Sequence, residues 1–452
     1  MSSEPASVDR VTRSVLETHY TNVTVVRLDP QPLVEALRAG RTRHRFLIDE
    51  VLNEEVIVEL NDLRAPNYRL LVLDDDGLHE TEAQYVPNTY ILRDLTGQEI
   101  GRLNIDEQVF EARVRRGEDV YSIRKLSHYV ASPETNLIVI SRLADASPDR
   151  ADYCSADAET VAGELLQQGT TTAAAGEGGF EHCVQFEVAG AGDYTLFGIH
   201  GMFGTQNRVF EVINMAESIL MAEFGLPITV TGNVVSIVPD PYTSTDSQTL
   251  LDQFRSHWQD LGVDLKRDLA MLVSGKDFDG GTKGRAAIAQ AGDPDEAFAI
   301  VQSPETDDLD FMVAHEMFHS LGAHHDESGC AHLLSSLRWT MCPWVGTKGL
   351  SGTSRNEIIN YVNEHIDLFI SEFTLTTNPF YIDGNFTNGE LHAGNSIITQ
   401  DYYLENPAYD VTLLARKKIT LKARTRVTSG AHMVCRIVPG LDCSEFDSTS
   451  TP

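Results

Sequence analysis

The chain lacks several features that mark whole classes of protein. None of its 452 residues lies in an unbroken apolar run of about 18 residues, which argues against a transmembrane helix. Positive charge is scarce, because 35 basic residues stand against 67 acidic ones and give a net charge of −32. Nucleic acids and anionic membranes would repel such a chain, so neither is an expected partner.

Cysteine is also scarce, with six residues, and none of them lies in a CxxC pair. A zinc knuckle built from cysteines is therefore disfavoured. The even number and two close pairs predict disulfides between Cys330 and Cys342 and between Cys435 and Cys443. The N-terminus lacks the apolar segment of a secretory signal, which fits a cytoplasmic protein or one whose signal was removed. Because disulfides form in oxidising compartments, we expect a secreted protein.

Periodicity and composition divide the chain into four parts. Residues 1–154 show period-two alternation with turn residues, which predicts a β-rich antiparallel domain. Residues 155–180 are small and polar and are typical of a linker, whereas residues 181–378 alternate predicted strands and helices. Residues 379–452 return to alternation and predict a small β module with short repeated rungs. The expected fold is therefore multidomain α/β (α+β).

Two helices of the central part have clear ends in the sequence. The stretch "QNRVFEVINMAESILMAEFG" has an apolar face and predicts a helix that stops at Gly225. A capping box, Ser354-x-x-Glu357, predicts the start of the last helix, which continues through "EIINYVNEHIDLFISEF".

The stretch "HEMFHSLGAHHD" carries the chemistry. His315 and His319 are one helical turn apart, so both imidazoles can bind one metal ion, while Glu316 can contact a water molecule on that ion. Gly322 can end the helix and turn the chain sharply, which brings His325 to the metal as a third ligand. Three protein ligands and an open position for water are typical of a catalytic Zn²⁺ site. The adjacent His324 is offset and is expected to be a rim residue or hydrogen-bond partner.

This pattern resembles the metzincin zinc peptidases, whose motif HExxHxxGxxH precedes a Met-turn. Met341, in "RWTMCPW", fits the Met-turn, and Asp326 after the third histidine is similar to the adamalysin (reprolysin) branch that includes the ADAM proteins. The resemblance covers about residues 181–375. It implies a mixed twisted sheet with an active-site helix, and Met341 as a hydrophobic floor beneath one zinc ion. It also implies that residues 1–154 form a propeptide-like domain.

The expected reaction is hydrolysis of peptide bonds in protein or peptide substrates by an endopeptidase. Glu316 is the predicted general base, and the edge strand around residues 284–290 is expected to bind substrate by β-augmentation. Asp326 is expected to anchor the turn after the ligand loop. The acidic run "PETDDLD" before the active-site helix could bind Ca²⁺, but its aspartates also suit a solvated helix N-terminus.

Two questions stay open at the level of sequence. Cys154 can be a zymogen switch that places its thiolate on the metal, or it can form a disulfide with Cys183, the other remaining cysteine. The alternative to a protease is a catalytically weak binding or adhesion protein that acts through its β modules. A site that uses a downstream glutamate as third ligand is disfavoured by Gly322 and His325.

Overall fold

A computed structural model describes residues 2–48, 51–81, 86–117, 119–130, 136–145, 153–154, 184–303, 309–326, 329–330, 338–343, 346 and 348–369, and a set of strands between 372 and 437. Its α-helices are α1 (Arg10–His19), α2 (Gln31–Arg38), α3 (Tyr194–Phe224), α4 (Ser247–Asp260), α5 (Leu309–Ser320), α6 (Gly352–Glu364) and α7 (Ile366–Phe369). None of these helices is both long enough and apolar enough to span a bilayer.

The described strands are β1 (Glu4–Pro5), β2 (Val23–Arg27), β3 (Arg43–Ile48), β4 (Leu52–Leu60), β5 (Arg64–Asp74), β6 (Gly77–Thr81), β7 (Thr89–Arg93), β8 (Glu99–Ile105), β9 (Phe110–Arg116), β10 (Asp119–Lys125), β11 (Leu137–Arg142), β12 (Tyr153–Cys154), β13 (Phe186–Gly192), β14 (Ile228–Ser236), β15 (Leu269–Ser274), β16 (Thr282–Ala286), β17 (Phe298–Gln302), β18 (Glu372–Thr376), β19 (Asn388–Ala393), β20 (Ser396–Gln400), β21 (Tyr403–Leu404), β22 (Asp410–Ala415), β23 (Lys418–Leu421), β24 (Arg426–Val427) and β25 (His432–Ile437).

The first sheet is antiparallel, as the period-two patterning predicts. Its described strands run in the order β1-β2-β11-β10-β9-β8-β7-β4-β3. Because side chains alternate between the faces of a strand, Leu103 and Ile105 on β8 enter an apolar core. Arg102 and Asn104 on the same strand are buried on the opposite face. The patterning does not predict the two flanking helices, α1 and α2.

The second sheet positions the motif "HEMFHSLGAHHD". Its described strands run in the order β12-β16-β17-β15-β13-β14-β5-β6. Strands β13, β14, β15 and β17 are parallel to their neighbours in this group, and β16 is antiparallel to β17. Helices α3 and α5 bury apolar side chains on one face of the sheet, and α4 covers the other face. The predicted alternation of strands and helices is therefore present.

Three strands of this second sheet come from the N-terminal part of the chain. Strand β5 pairs in parallel with β14 and antiparallel with β6, and β12 pairs in parallel with β16 at the other end of the sheet. Sequence patterning placed all three in a separate domain that ends at residue 154. The division of the chain into domains stays a prediction. The second sheet, however, contains strands from both sides of the boundary predicted at residue 154.

Three local predictions differ from the structure. Helix α3 begins at Tyr194, well before the predicted stretch, and its helical conformation is interrupted at Gly201. Helix α6 is capped by Ser351 instead of Ser354, because the Ser351 Oγ accepts a hydrogen bond from the Ser354 N–H at 3.2 Å. The predicted final helix also does not extend through the end of "EIINYVNEHIDLFISEF", because strand β18 begins at Glu372.

The described strands after residue 371 form three small parallel sheets. The orders are β18-β20-β23, β19-β22-β25 and β21-β24. The chain therefore visits the sheets repeatedly. Within each sheet, a strand pairs in parallel with the next strand that the chain contributes to that sheet. The described strands therefore repeat along the chain, and a separate C-terminal β module stays a prediction.

Candidate active site

Helix α5 carries the first two predicted ligands on one side. The ring centroids of His315 and His319 are 4.5 Å apart, and both residues are fully buried. The helix ends before Gly322, whose φ of 99° is unfavourable for residues with a Cβ. A Cβ there would also lie 2.9 Å from the Tyr361 Cβ. The chain then turns back and brings the His325 ring centroid to 4.7 Å from that of His319.

Backbone carbonyls orient two of these imidazole rings. The Nδ1 atom of His315 lies 2.6 Å from the Thr340 carbonyl oxygen, and the Nδ1 atom of His319 lies 2.7 Å from that of Ala323. An Nδ1–H that donates to a carbonyl leaves the lone pair on Nε2 for a metal. The Nε2 atom of His325 lies 3.2 Å from that of His315 and 3.1 Å from that of His319. The three Nε2 atoms therefore converge on one point.

Burial keeps this histidine group neutral. Burial, with the His325 ring adding to the effect, lowers the pKa of His315 to about 3. Burial lowers the pKa of His325 to about 4 and holds the pKa of His319 well below its ordinary value. Neutral imidazole is the form that binds a metal ion, so the folded protein presents these three rings in the form that a metal would require.

Glu316 is buried beside these rings. Within the described residues, neither of its carboxylate oxygens accepts a hydrogen bond of normal geometry. Burial raises the pKa of Glu316 to about 8, although the Cys154 thiol and the Arg285 guanidinium act in the opposite direction. The carboxylate packs against β16 at Gly284, where an added Cβ would lie 2.4 Å from the Glu316 Oε1 atom. This glycine is therefore required by the close approach of Glu316.

Cys154 lies at the same point, on strand β12. Its N–H donates to the Pro343 carbonyl at 2.8 Å, and its position pairs with Gly284 of β16. Its buried Sγ atom is a thiol and lies 3.6 Å from the Nε2 atom of His319. The alternative partner, Cys183, lies outside the described residues.

Cys154 and the three histidines form one group of potential metal ligands. Each offers one ligand atom, and the four atoms lie within 4.8 Å of one another. Three imidazole nitrogens, two of them oriented by carbonyls, and one thiol sulfur suit a tetrahedral zinc ion. The residues present therefore fit the metal that the sequence motif implies.

Helix α6 holds the loop that carries His325. The Asp326 Oδ1 atom accepts hydrogen bonds from the Ser351 Oγ at 2.5 Å and from the Ser354 Oγ at 3.0 Å. The Glu357 Oε2 atom accepts a hydrogen bond from the His324 N–H at 2.9 Å. Asp326 thus anchors the turn, as the sequence suggests. Sequence reasoning missed Glu357 because its spacing from Ser354 matched a capping box.

The remaining predicted residues have mixed outcomes. A disulfide joins Cys330 and Cys342, as predicted. Cys435 is an exposed thiol, and Cys443 lies outside the described residues, so that pairing stays a prediction. Met341 is fully buried, and its carbonyl accepts a hydrogen bond from the Asp326 N–H at 2.8 Å. Its role as a Met-turn stays a prediction.

The acidic run before α5 is described only at its end. Residues 304–308 lie outside the described part of the chain. The Asp310 carboxylate forms a buried ion pair with Arg113 at 2.6 Å. The suggested Ca²⁺ site therefore has no support from Asp310.

Comparison with known proteins points to the same segment. Residues 185–350 match the family model Reprolysin_5, described as metallo-peptidase family M12. This match, over the segment that carries the histidine group, supports a metzincin-like metallopeptidase. Among solved structures, the crystal structure of metalloproteinase-II from Bacteroides fragilis is similar at 14% identity, over 75% of this chain and 97% of that chain, with a TM-score of 0.46. A likeness at this level carries no argument about function.

Proposed function

We propose that the protein is a zinc-dependent endopeptidase of the reprolysin type that is secreted as a proenzyme and cleaves proteins or peptides. The observation that carries this proposal is the convergence of three neutral histidine Nε2 atoms beside the buried Glu316 carboxylate. The Cys330–Cys342 disulfide supports secretion, because disulfides persist in oxidising compartments.

In the proposed reaction, three histidines hold the metal ion and Glu316 transfers the proton. A zinc ion held by His315, His319 and His325 would acidify water and polarise a peptide carbonyl. The Glu316 carboxylate takes a proton from water and later delivers it to the leaving amine. Burial raises the pKa of Glu316 to about 8, and a zinc ion beside the carboxylate would favour its ionised form, which is the form that accepts the proton. Strand β16 lies beside Glu316, and the edge that β12 covers in this structure would pair with a substrate peptide once β12 is removed.

The contacts of Cys154 support latency. Its strand, β12, occupies the edge of β16 where a substrate peptide would pair. Its thiol lies 3.6 Å from the Nε2 atom of His319, at the point where an open metal position would be needed. One short segment therefore covers both the substrate edge and the ligand group.

The variant Glu316→Gln tests the mechanism. We expect it to keep zinc at the parent stoichiometry and to lose peptidase activity by roughly a hundredfold or more, because the general base is removed. Zinc content and cleavage of a peptide library, each measured before and after proteolytic activation, check this. Glu364→Gln, an exposed position on α6, is the matched control. Full activity in Glu316→Gln would overturn the assignment of Glu316.

A binding protein that uses the same fold is the alternative. The endopeptidase and the binding protein differ in whether the protein cleaves peptides and in whether removal of the metal stops that cleavage. A chelator is expected to abolish cleavage by the activated protein, and added zinc is expected to restore it.

A further inference from the structure

The N-terminal segment, residues 2–154, holds both ends of the sheet that carries the candidate active site. At one end, β5 pairs in parallel with β14 from Arg64 opposite Val230 to Leu73 opposite Ser236. The N–H of Val230 donates to the Leu63 carbonyl at 2.6 Å. Without this hairpin, β14 would become an edge strand with unpaired backbone groups.

The hairpin also contributes to the cores of the second sheet. Leu71 of β5 belongs to the apolar cluster that contains Phe254 of α4. Leu70 and Val72 pack with Val235 of β14 in a cluster on the other face. Removing β5 would therefore expose apolar side chains on both faces of β14.

Between the two sheets, buried charges cross the boundary. The Arg113 guanidinium donates to both oxygens of Asp310, at 2.8 and 2.6 Å, and each side chain is 5% exposed. Arg102 donates to the Glu217 carboxylate at 3.0 Å, and the Asn61 amide donates to the same oxygen at 2.7 Å. Breaking a buried pair by removing one partner is strongly destabilising, so these contacts oppose separation.

At the opposite end of the sheet, β12 lies on β16. Cys154, the last residue of the N-terminal segment, is bound there by its backbone and lies against His319. A cut within the predicted linker, residues 155–180, lies after Cys154. Such a cut breaks one covalent bond and removes none of the contacts described above.

We propose that the N-terminal segment is a strand-donating partner that stays bound after the linker is cut. The interaction surface has three parts. They are the edge of β14 that pairs with β5, the side of α3 that carries Glu217 together with Asp310 of α5, and the edge of β16 that pairs with β12. Its partner is this chain's own N-terminal segment. A linker cut alone then leaves the active site covered, and activation requires a second event that removes the segment. This consequence rests on the proposed peptidase function, but the binding itself does not.

The binding is tested with the full chain carrying one recognition site for a specific protease within residues 155–180 and an affinity tag at the C-terminus. After cutting, we expect both fragments to elute together in size-exclusion chromatography and to separate only in denaturant. Separate elution in native buffer would overturn the proposal.

An arginine variant tests which contacts hold the fragments together. We expect the cut Arg113→Ala protein to release its N-terminal fragment at least about tenfold faster than the cut parent, because Asp310 loses its buried partner. The control Arg142→Ala removes an arginine of the same fragment whose side chain is 40% exposed and paired with Asp145, and it is expected to release at the parent rate. Equal release by both variants would overturn the role of the buried pair.

Peptidase activity separates the two proposals. The cut but associated protein is expected to have at most about a tenth of the activity measured after the N-terminal fragment has been removed. Equal activity before and after removal would overturn the two-event requirement. If neither preparation cleaves peptides although the separated C-terminal fragment is folded by circular dichroism and binds zinc, the peptidase proposal fails, while elution of the two fragments still decides the binding.

Discussion

His324 and His325 are neighbours in the chain but face different partners. The His325 Nε2 atom lies 3.1 Å from that of His319, whereas the His324 Nδ1 atom lies 3.6 Å from a carboxylate oxygen of Glu357. A hydrogen bond to Glu357 raises the pKa of His324, and burial lowers the pKa of His325. The local surroundings thus distinguish the predicted metal ligand, His325, from His324, which ties its loop to α6.

Replacing each of these histidines with alanine should separate their roles. We expect His325→Ala to bind zinc more weakly than the parent, because the potential ligands fall from four to three, the two remaining histidine nitrogens and the Cys154 thiol. We expect His324→Ala to retain zinc near the parent stoichiometry, because its ring faces Glu357. Metal content after dialysis against a weak chelator measures both. Loss of zinc from His324→Ala alone would reverse the assignment.

Cys154 can be followed by the spectrum of a substituted metal. If the thiol binds the metal in the uncut protein, the cobalt-substituted form should show a thiolate-to-cobalt charge-transfer band. Cys154→Ala should lack that band, while its peptidase activity before any cut should stay low, because the backbone of β12 still covers the edge of β16. Cys435→Ala, which changes an exposed cysteine outside the ligand group, should behave as the parent. A parent spectrum without the band would exclude Cys154 as a ligand in this state.

At the scale of elements, the turn after α5 depends on Gly322. Alanine there would have to adopt a φ near 99° and place its Cβ 2.9 Å from that of Tyr361. We expect Gly322→Ala to lower the unfolding free energy by about 1–2 kcal/mol or more and to weaken zinc binding through His325. Gly352→Ala is the matched control, because a Cβ at Gly352 meets no atom within 4 Å. Thermal unfolding and chelator competition measure the two effects. Equal behaviour of the two variants would contradict this role for the turn.

The ligand group could be predicted from the sequence because its geometry is local. His315 and His319 are fixed by helical periodicity, and Gly322 sets the direction in which the chain reaches His325. The cap of α6 was predicted at Ser354 instead of Ser351 because a capping box is also a local sequence pattern. Ser351 and Ser354 are both suitable caps, and the choice between them depends on tertiary contacts such as that of Glu357 with the His324 N–H.

Strand pairing between distant segments could not be predicted in the same way. Alternation shows that residues 64–81 form strands, but the partner of a strand depends on contacts across the whole fold. The sequence alone allows Cys154 either as a thiolate on the metal or as a disulfide partner of Cys183, and it could not decide between them because the position of Cys154 beside His319 depends on β12 joining β16. The boundary predicted at residue 154 separates segments by composition, and composition carries no information about shared sheets.

At the scale of the whole molecule, buried polar groups connect the two sheets. One of these groups, the Glu211 carboxyl, titrates near neutral pH. Burial raises the pKa of Glu211, on α3, to about 7. Its carboxylate accepts a hydrogen bond from the Asn88 amide at 2.8 Å and lies near Arg208, while Glu111 and Asp106 add negative charge around it. Glu111 itself stays ionised, since Arg124 and Arg208 outweigh its burial and hold its pKa far below the usual range.

This arrangement predicts that raising the pH weakens the association of the two segments. A carboxyl group whose pKa is raised by association binds its proton more tightly in the associated state. Below its ordinary pKa of about 4.5, Glu211 is protonated in both states and has no effect. Between that value and about 7, the separated state loses its proton first, so association becomes less favourable as the pH rises, and the effect is complete above about 7.

The fragment-release assay measures this dependence directly. We expect the linker-cut protein to release its N-terminal fragment up to roughly a hundredfold more readily at about pH 8 than at about pH 5. Glu211→Gln should flatten this change, because the amide does not ionise and can still accept the hydrogen bond from Asn88. Glu364→Gln, which changes an exposed carboxylate on α6, should keep the parent profile. A steep profile in Glu211→Gln would assign the titration to another group. If release in the parent were slower at the higher pH, the sign of the linkage would be wrong, and burial of Glu211 would not weaken the association of the two segments.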